Sequence, residues 1–257
     1  IANLIAIANF VEQHFGLFED SLVVNRYLNI VSTIGVLASN FQKPQAIELA
    51  RQKLEQFAQA RKEAEVLVFE RIEELNILHV RDWSDFSAAD EVIERILKGL
   101  VYYGERVNRR RRIFFMLAIC EIYLLTNRPA ATAKLLATLV HDSPLESGPR
   151  ANILLWSYYL IAEYELGHQD IMKQWAKTAA RYVKEFAIDD QPGIALIHFL
   201  RELSRKSDPG KRKTVFRRFA SEVAPMLEVP PNQFYENRFP FTKWVQCQLT
   251  EVAFPPK

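Results

Sequence analysis

The apolar residues of this chain recur every three or four positions along most of its length, which is the spacing of one face of an α-helix. The longest such stretch follows Pro44, a residue that suits the first turn of a helix because no backbone N–H is needed there. No glycine or proline interrupts the stretch before Gly99, and the alternative of two helices with a break near Arg61-Lys62 has no signal in the sequence. We therefore predict one long helix here, of about 30 residues or more against a usual length of about 10 to 14. Its core-facing residues are Ile47, Ala50, Leu54, Phe57, Ala64, Val68, Leu75 and Leu78.

Helical spacing also precedes and follows this stretch, and turn residues separate the elements. Asp190, two positions before Pro192, and Asp208, directly before Pro209, predict the starts of two later helices. Eight glycines are few for 257 residues, and the chain has almost none of the valine- and threonine-rich alternation of β-strands. We predict an all-α fold of about ten helices without β-structure.

Two consecutive segments share the same order of an apolar helix, a tight turn and a second apolar helix. The first copy contains a turn at Asn127-Arg128-Pro129, and the second contains a turn at Gly167-His168. A two-helix unit that returns after about 34 to 40 residues is typical of helical-repeat arrays. The apolar positions are Met116, Ile119, Cys120, Tyr123, Ala131, Leu135, Leu136 and Leu139 in the first copy and Trp156, Tyr159, Leu160, Ala162, Met172, Trp175, Ala176 and Ala179 in the second.

These two hairpins resemble tetratricopeptide repeats. The first copy departs from the second where Met116 stands in place of Trp156 and Asn127 in place of the turn glycine. The residues around Gly35 match the repeat pattern more weakly. A glycine within a helix is destabilising unless it allows a close contact with another helix. The resemblance implies antiparallel hairpins stacked as a short right-handed solenoid, with the first helix of each hairpin on the concave face. It is carried by Trp156, Gly167, Ala176 and Ala179 in the second copy and by Met116, Cys120, Tyr123 and Ala131 in the first.

The concave face implied by this resemblance is unusually apolar, and exposed surfaces of that kind rarely stay uncovered. Two interpretations follow: a partner segment lies there, or the chain covers the surface with its own C-terminal segment. The candidate partner-binding residues on this face are Leu117, Glu121, Ser157, Ile161 and Tyr164.

Three segments differ in character along the chain. Residues 1–105 form a helical region with the long helix, residues 106–228 contain the hairpin repeats, and residues 229–257 are rich in proline and aromatic side chains. So many aromatic residues in a short segment must be buried, and we expect them to close the end of the array. They are Phe234, Tyr235, Phe239, Phe241 and Trp244.

Two clusters of basic residues, at 106–112 and 205–218, are further candidates for binding a partner. A run of cations at a helix start opposes the helix dipole, so Arg109, Arg110 and Arg112 join the candidate partner-binding residues. Three interpretations remain: acidic residues of the long helix neutralise the arginines, an acidic partner binds them, or they contact nucleic acid. The third needs a continuous basic stripe with aromatic side chains, and is the least favoured.

The sequence contains no pattern that favours catalysis, a metal or a cofactor. The five histidines are scattered, and Glu165 and His168 are separated by the turn at Gly167. Cys120 and Cys247 lie in apolar helical surroundings, which predicts buried reduced thiols in a cytoplasmic protein. No apolar run reaches the roughly 18 residues of a membrane span, so no membrane partner is expected. The start at Ile1 suggests a fragment of a larger protein.

The sequence therefore predicts a non-catalytic scaffold that binds a protein or peptide segment on the concave face of a helical array. The alternative is nucleic-acid binding through the two basic clusters. A net charge of +2 is too small to favour nucleic acid by itself, and no oligomeric state is indicated.

Overall fold

The computed structural model describes residues 1–14, 21–41, 43–82, 86–140, 148–187, 189–229 and 234–254. Across these ranges the chain is helical and contains no β-strand, which confirms the all-α prediction. The contacts divide the chain into two compact units, Ile1–Arg112 and Ile113–Lys257. Residues 230–233 and 255–257 of the predicted C-terminal segment lie outside the described ranges. No helix in the described residues is both long and apolar enough to cross a membrane.

The first unit is built around α2, which packs against α1, α3 and α4. Gly35 on α2 allows a close approach to α4, since a Cβ at this position would lie 2.2 Å from Cδ2 of Leu75. This contact explains why a glycine is tolerated in the middle of a helix. The helices of this unit are α1 (Ala2–Gln13), α2 (Ser21–Asn40), α3 (Pro44–Ala60), α4 (Glu65–Asp82) and α5 (Ala89–Tyr103).

The predicted single long helix after Pro44 is wrong, because the structure contains two helices there. The backbone leaves the helical region at Arg61 (φ −137°, ψ 82°), and a 3₁₀ turn at Lys62–Ala64 leads into α4. Both helices keep their apolar residues towards one core, so the three-four spacing continues across the break. Ala64, inside the 3₁₀ turn, is itself buried in that core. Hydrophobic spacing alone could not reveal a break without glycine or proline.

The second unit contains the two predicted hairpins and the C-terminal helices. Asn108 starts α6 by accepting a hydrogen bond from Arg111 N–H at 2.9 Å, and Asp190 and Asp208 cap two later helices in the same way. The helices are α6 (Arg109–Leu125, which contains the division between the units), α7 (Pro129–Val140), α8 (Pro149–Glu165), α9 (Gln169–Phe186), α10 (Gln191–Leu203), α11 (Pro209–Arg218), α12 (Ala224–Glu228) and α13 (Phe241–Thr250).

The two hairpin turns have the same backbone geometry. Asn127 (φ 57°) and Gly167 (φ 73°) both adopt the left-handed conformation. In each turn the next N–H reaches back five residues, from Arg128 to the Tyr123 carbonyl and from His168 to the Glu163 carbonyl. This is the Schellman pattern of helix C-termini, in which asparagine can replace glycine. The two copies thus share their turn as well as their apolar spacing.

The helices of the second unit pack in sequence around the second hairpin. α7 packs against α8, α8 packs against α9, and α10 contacts both α8 and α9. Trp156 is buried and stacks on the half-buried Trp175 with ring centroids 5.6 Å apart. The bulky pair fills the space between the two helices of that hairpin.

Four of the five aromatic residues that were predicted to be buried in the C-terminal segment are buried, and Phe234 is only partly so. Tyr235, Phe239, Phe241 and Trp244 are each at most 1% exposed. Tyr235 donates a hydrogen bond to Asp190 at 2.6 Å, and its hydroxyl lies 2.5 Å from where a Cβ on Gly193 would be. Gly193 therefore gives this segment room to pack against the start of α10.

Candidate functional site

The predicted concave-face residues are internal in the structure. Leu117, Glu121, Ser157 and Ile161 are at most 6% exposed, and the Ser157 hydroxyl donates to the Ile153 carbonyl at 2.7 Å. A partner cannot contact these side chains in the folded chain, so their assignment as partner-binding residues is corrected. Burial by the protein itself, the second of the two interpretations, is the one observed.

The C-terminal helix α13 covers Tyr164, the fifth residue of the predicted face. The Tyr164 ring packs edge-on against Phe216 and Trp244, with centroids 5.8 Å away in both pairs. Next to it, Glu165 accepts hydrogen bonds from Trp244 Nε1 at 2.7 Å and from Gln248 Nε2 at 2.8 Å. Burial raises the pKa of the Glu165 carboxyl, and the Trp244 hydrogen bond opposes that shift. These contacts attach α13 to the end of α8.

Two arginines of the first basic cluster pair with carboxylates of α4. Arg111 lies 2.6 Å from a carboxylate oxygen of Glu74 and 3.6 Å from one of Glu70, and Arg106 pairs with Glu65 at 2.8 Å. Burial raises the pKa of Glu70, while the nearby arginines oppose the shift. Carboxylates of the segment that was predicted to be one long helix thus form ion pairs with these two arginines. This agrees with the first of the three interpretations, internal neutralisation.

The other arginines of this cluster differ in their surroundings. Arg112 is partly buried and donates from Nε to the Val107 carbonyl at 3.2 Å. Arg109 and Arg110 are exposed. All three belong to the first unit, whereas the predicted concave-face residues belong to the second.

The second basic cluster is also partly paired within the chain. Arg218 pairs with Glu202 and Glu222, and Lys213 pairs with Glu251. Arg212 is held by the Lys206 carbonyl at 2.8 Å and by the Gln169 side chain at 3.1 Å. Arg212, Lys213 and Arg218 are therefore engaged in internal contacts.

A basic stripe that the sequence analysis missed lies on the outer face of α9. Lys173, Lys177, Arg181 and Lys184 are all exposed, and none of them forms an ion pair among the described residues. Their spacing of four, four and three places them on one side of the helix, and no acidic residue occurs between Asp170 and Glu185. The opposite side of α9 is buried through Met172, Ala176, Ala179, Ala180 and Val183.

The sequence did contain the signal for this stripe. Trp175, Ala176 and Ala179 define the apolar face of this helix in the sequence, and lysines and arginines occupy the positions around them. A count of charges by region would have found it. Residues 173–218 contain twelve lysines and arginines against five acidic residues, although the whole chain has a net charge of +2.

His168, the histidine near the second hairpin turn, contacts a carboxylate of the chain. His168 Nδ1 lies 2.8 Å from Oε2 of Glu163, near the C-terminal end of α8. Within the described ranges, no three His, Cys, Asp or Glu side chains are grouped so that they could hold a metal ion. Cys120 and Cys247 are buried free thiols, and burial raises the pKa of Cys120.

Glu236 is a carboxyl group whose pKa lies in the neutral range in the folded protein. Burial raises its pKa to about 7, although both carboxylate oxygens accept the Thr242 N–H at 3.1 and 3.2 Å at the start of α13. A carboxyl whose folded-state pKa is raised stabilises the fold most below its unfolded pKa, and this contribution is lost as the pH rises through the folded pKa.

We therefore expect Glu236→Gln to be more stable than the wild type at pH 8, by at most about 3 kcal/mol, and equally stable near pH 4. The amide keeps an oxygen for the Thr242 N–H but does not ionise. Urea unfolding of both proteins at pH 4, 6 and 8 measures the difference. A difference between them that does not change with pH would contradict the burial of this carboxyl.

Comparison of the chain with known protein families, curated proteins and solved structures found no match.

Proposed function

We propose that the protein is a non-catalytic helical scaffold that binds an acidic segment of a partner protein through the basic stripe on α9. The observation that carries the proposal is the pairing difference between the basic groups. Arg106, Arg111 and Arg218 are paired with carboxylates of the chain, whereas the four cations of the stripe face solvent without such partners in the described residues. Neighbouring cations without acidic partners repel one another. A partner with complementary negative charge reduces this repulsion when it binds.

The dimensions of the stripe suit a short extended segment. Lys173 and Lys184 are eleven residues apart on the helix, a distance of about 16 Å at 1.5 Å per residue. An extended chain covers that distance in about five residues. Side chains alternate along such a chain, so a segment with several aspartates or glutamates can present carboxylates to successive cations of the stripe.

The similarity of the two hairpins supports a repeat scaffold related to the tetratricopeptide repeats. Both turns use a left-handed residue and the same hydrogen bonds, 40 positions apart in the chain. We propose that the hairpins stack as a short right-handed array and that the outer face of α9, rather than the filled concave face, carries the binding surface. The buried free thiols favour a reducing compartment, so we propose a cytoplasmic location.

Nucleic-acid binding is the alternative function for the same charges. Single-stranded nucleic acids are held by a basic groove together with exposed aromatic faces on which the bases stack. On α9 the Trp175 ring packs instead against Trp156 and Tyr159, with centroids 5.6 and 6.2 Å away. This packing favours the acidic protein segment over a nucleic acid.

Binding of a fluorescent ten-residue peptide of alternating glutamate and glycine tests the proposal. We expect Lys177→Glu with Arg181→Glu to weaken the binding by at least about tenfold at low salt, because two attractive charges become repulsive. The matched control is Arg26→Glu with Arg110→Glu, which makes the same change in net charge at two exposed positions of the first unit. The control should leave the affinity nearly unchanged.

Two outcomes would overturn this proposal. Equal weakening in both double variants would show that only the net charge matters. A single-stranded RNA of equal charge that binds more tightly than the peptide, and that loses binding in the α9 variant, would favour the nucleic-acid alternative.

A further inference from the structure

A cavity of about 520 Å³ opens between α10 and the turn that follows α11. This turn, Phe219–Val223, has π-helical hydrogen bonding, a local insertion that is frequent at functional sites. The cavity volume falls in the range of ligand pockets, about 300 to 1,000 Å³. Residues of α10, of the segment that follows it and of the π-helical turn line the cavity.

The polar lining of this cavity carries an excess of positive charge. Arg218 pairs with both acidic groups of the lining, Glu202 and Glu222. Arg201, Arg205 and Lys206 then remain as cations whose side chains form no ion pair in the part of the chain that the structure describes.

Arg201 contributes a buried donor without an acceptor. Its Nε is inaccessible to solvent and has no hydrogen-bond partner among the described residues. A buried N–H without a partner is destabilising by about 1 to 3 kcal/mol, and more for a charged group. The described residues therefore do not compensate the Arg201 guanidinium, and an anion in the cavity would place negative charge beside it.

The basic groups of the lining come from α10 and from the residues that follow it. His198 and Arg201 are three positions apart on the side of α10 that lines the cavity, and the cations Arg205 and Lys206 follow directly after the end of the helix. The apolar part of the lining includes Phe199 and Phe219, whose ring centroids lie 4.4 Å apart. The cavity thus combines an apolar wall with a cationic side.

We propose that this cavity binds the phosphate group of a small phosphorylated molecule. A guanidinium group presents parallel N–H donors that match the oxygens of a phosphate, and such charge-assisted pairs are the stronger hydrogen bonds. Three cations suit a doubly charged phosphate ester better than a carboxylate with a single charge. The site is separate from the basic stripe of α9, and the proposal does not depend on the acidic-segment proposal.

Titration calorimetry with phenyl phosphate tests this site, with benzoate as the carboxylate of similar size. We expect saturable binding of phenyl phosphate with a Kd below about 1 mM, and binding of benzoate at least about tenfold weaker, because benzoate carries half the charge. Arg201→Gln should weaken the phosphate binding by at least about tenfold and should not lower the unfolding midpoint, since it removes a buried donor that has no acceptor.

Further variants keep the test decisive if Arg201→Gln folds poorly. Arg205→Gln changes an exposed cation of the same cavity and should also weaken the binding, whereas Lys211→Gln changes an exposed cation outside the lining and should not. Lys177→Glu with Arg181→Glu should bind phenyl phosphate like the wild type, which separates this site from the α9 stripe.

A phosphoserine peptide in the same titration identifies the source of the phosphate. Weaker binding of the peptide than of phenyl phosphate supports a small molecule, whereas tighter binding overturns that part of the proposal in favour of a phosphorylated protein. Absence of saturable heat at about 10 mM phenyl phosphate, equal affinity for benzoate, or binding unchanged in both Arg201→Gln and Arg205→Gln would overturn the phosphate site itself.

Discussion

Replacing Trp244 by alanine is expected to lower the free energy of unfolding by about 3 to 5 kcal/mol. The indole is fully buried and packs against Tyr164, Phe199 and Phe216. Its loss leaves a cavity where α13 meets the second hairpin and removes a hydrogen-bond donor from the Glu165 carboxylate. Urea denaturation followed by circular dichroism measures the change, which should appear as a large shift of the midpoint.

The control for this prediction is Lys243→Ala, on the same helix. Lys243 is exposed next to Trp244, so its removal should change the stability by less than about 0.5 kcal/mol. Similar small effects of both substitutions would show that α13 is not packed against the end of α8. The surface around Tyr164 would then be accessible to a partner, as the sequence-based hypothesis of a binding groove predicts.

Replacing Arg111 by alanine is expected to destabilise the first unit by about 3 kcal/mol at pH 8, because it removes a positive charge from beside the buried Glu70 and the partly buried Glu74. Glu70 and Glu74 both lie within 4 Å of this guanidinium. Without Arg111 the pKa of Glu70 should rise further, so the loss of stability should be smaller at pH 4 than at pH 8.

The neighbouring substitution Arg110→Ala is the matched control. Arg110 is exposed, and its removal should change the stability by less than about 0.5 kcal/mol. Adding Glu70→Gln to Arg111→Ala should recover part of the lost stability, since the buried carboxylate beside the removed charge becomes neutral. Equal effects of Arg110→Ala and Arg111→Ala would contradict the pairing of Arg111 with carboxylates of α4.

Local rules were sufficient to predict the type of fold and the second unit's hairpins. Asp190 and Asp208 cap the helices whose starts they predicted, and the turn at Asn127 follows the same left-handed geometry as the one at Gly167. Capping and turn geometry depend on residues within a few positions of each other, so a single sequence contains the information.

The break at Arg61 and the closed concave face could not be predicted in this way. Apolar spacing is the same for one helix and for two helices that share a core, and it does not indicate which element covers an apolar face. The burial of Ile161 and Tyr164 depends on packing between segments far apart in the chain, including the contact of Tyr164 with Trp244. The resemblance to an open repeat array led to the prediction of a binding surface on the concave face. In the structure the protein's own residues fill that face.

The basic stripe of α9 is an intermediate case, because its spacing was visible but its lack of partners was not. Arg106 and Arg111 looked more distinctive in the sequence, yet each is paired with a carboxylate about 40 residues away along the chain. Lys177 and Arg181 are exposed without ion pairs in the described residues. Only the three-dimensional arrangement distinguishes cations that stabilise the fold from cations that remain available to a partner.

Amide chemical-shift mapping of the labelled protein with the alternating glutamate–glycine peptide tests the proposed binding surface most directly. The shift changes should concentrate on residues 173–184 of α9 and be absent from Leu117, Ser157 and Ile161, which are buried. Shift changes centred on those buried residues, with α9 unaffected, would show that the concave face opens to bind a partner and would contradict the proposal.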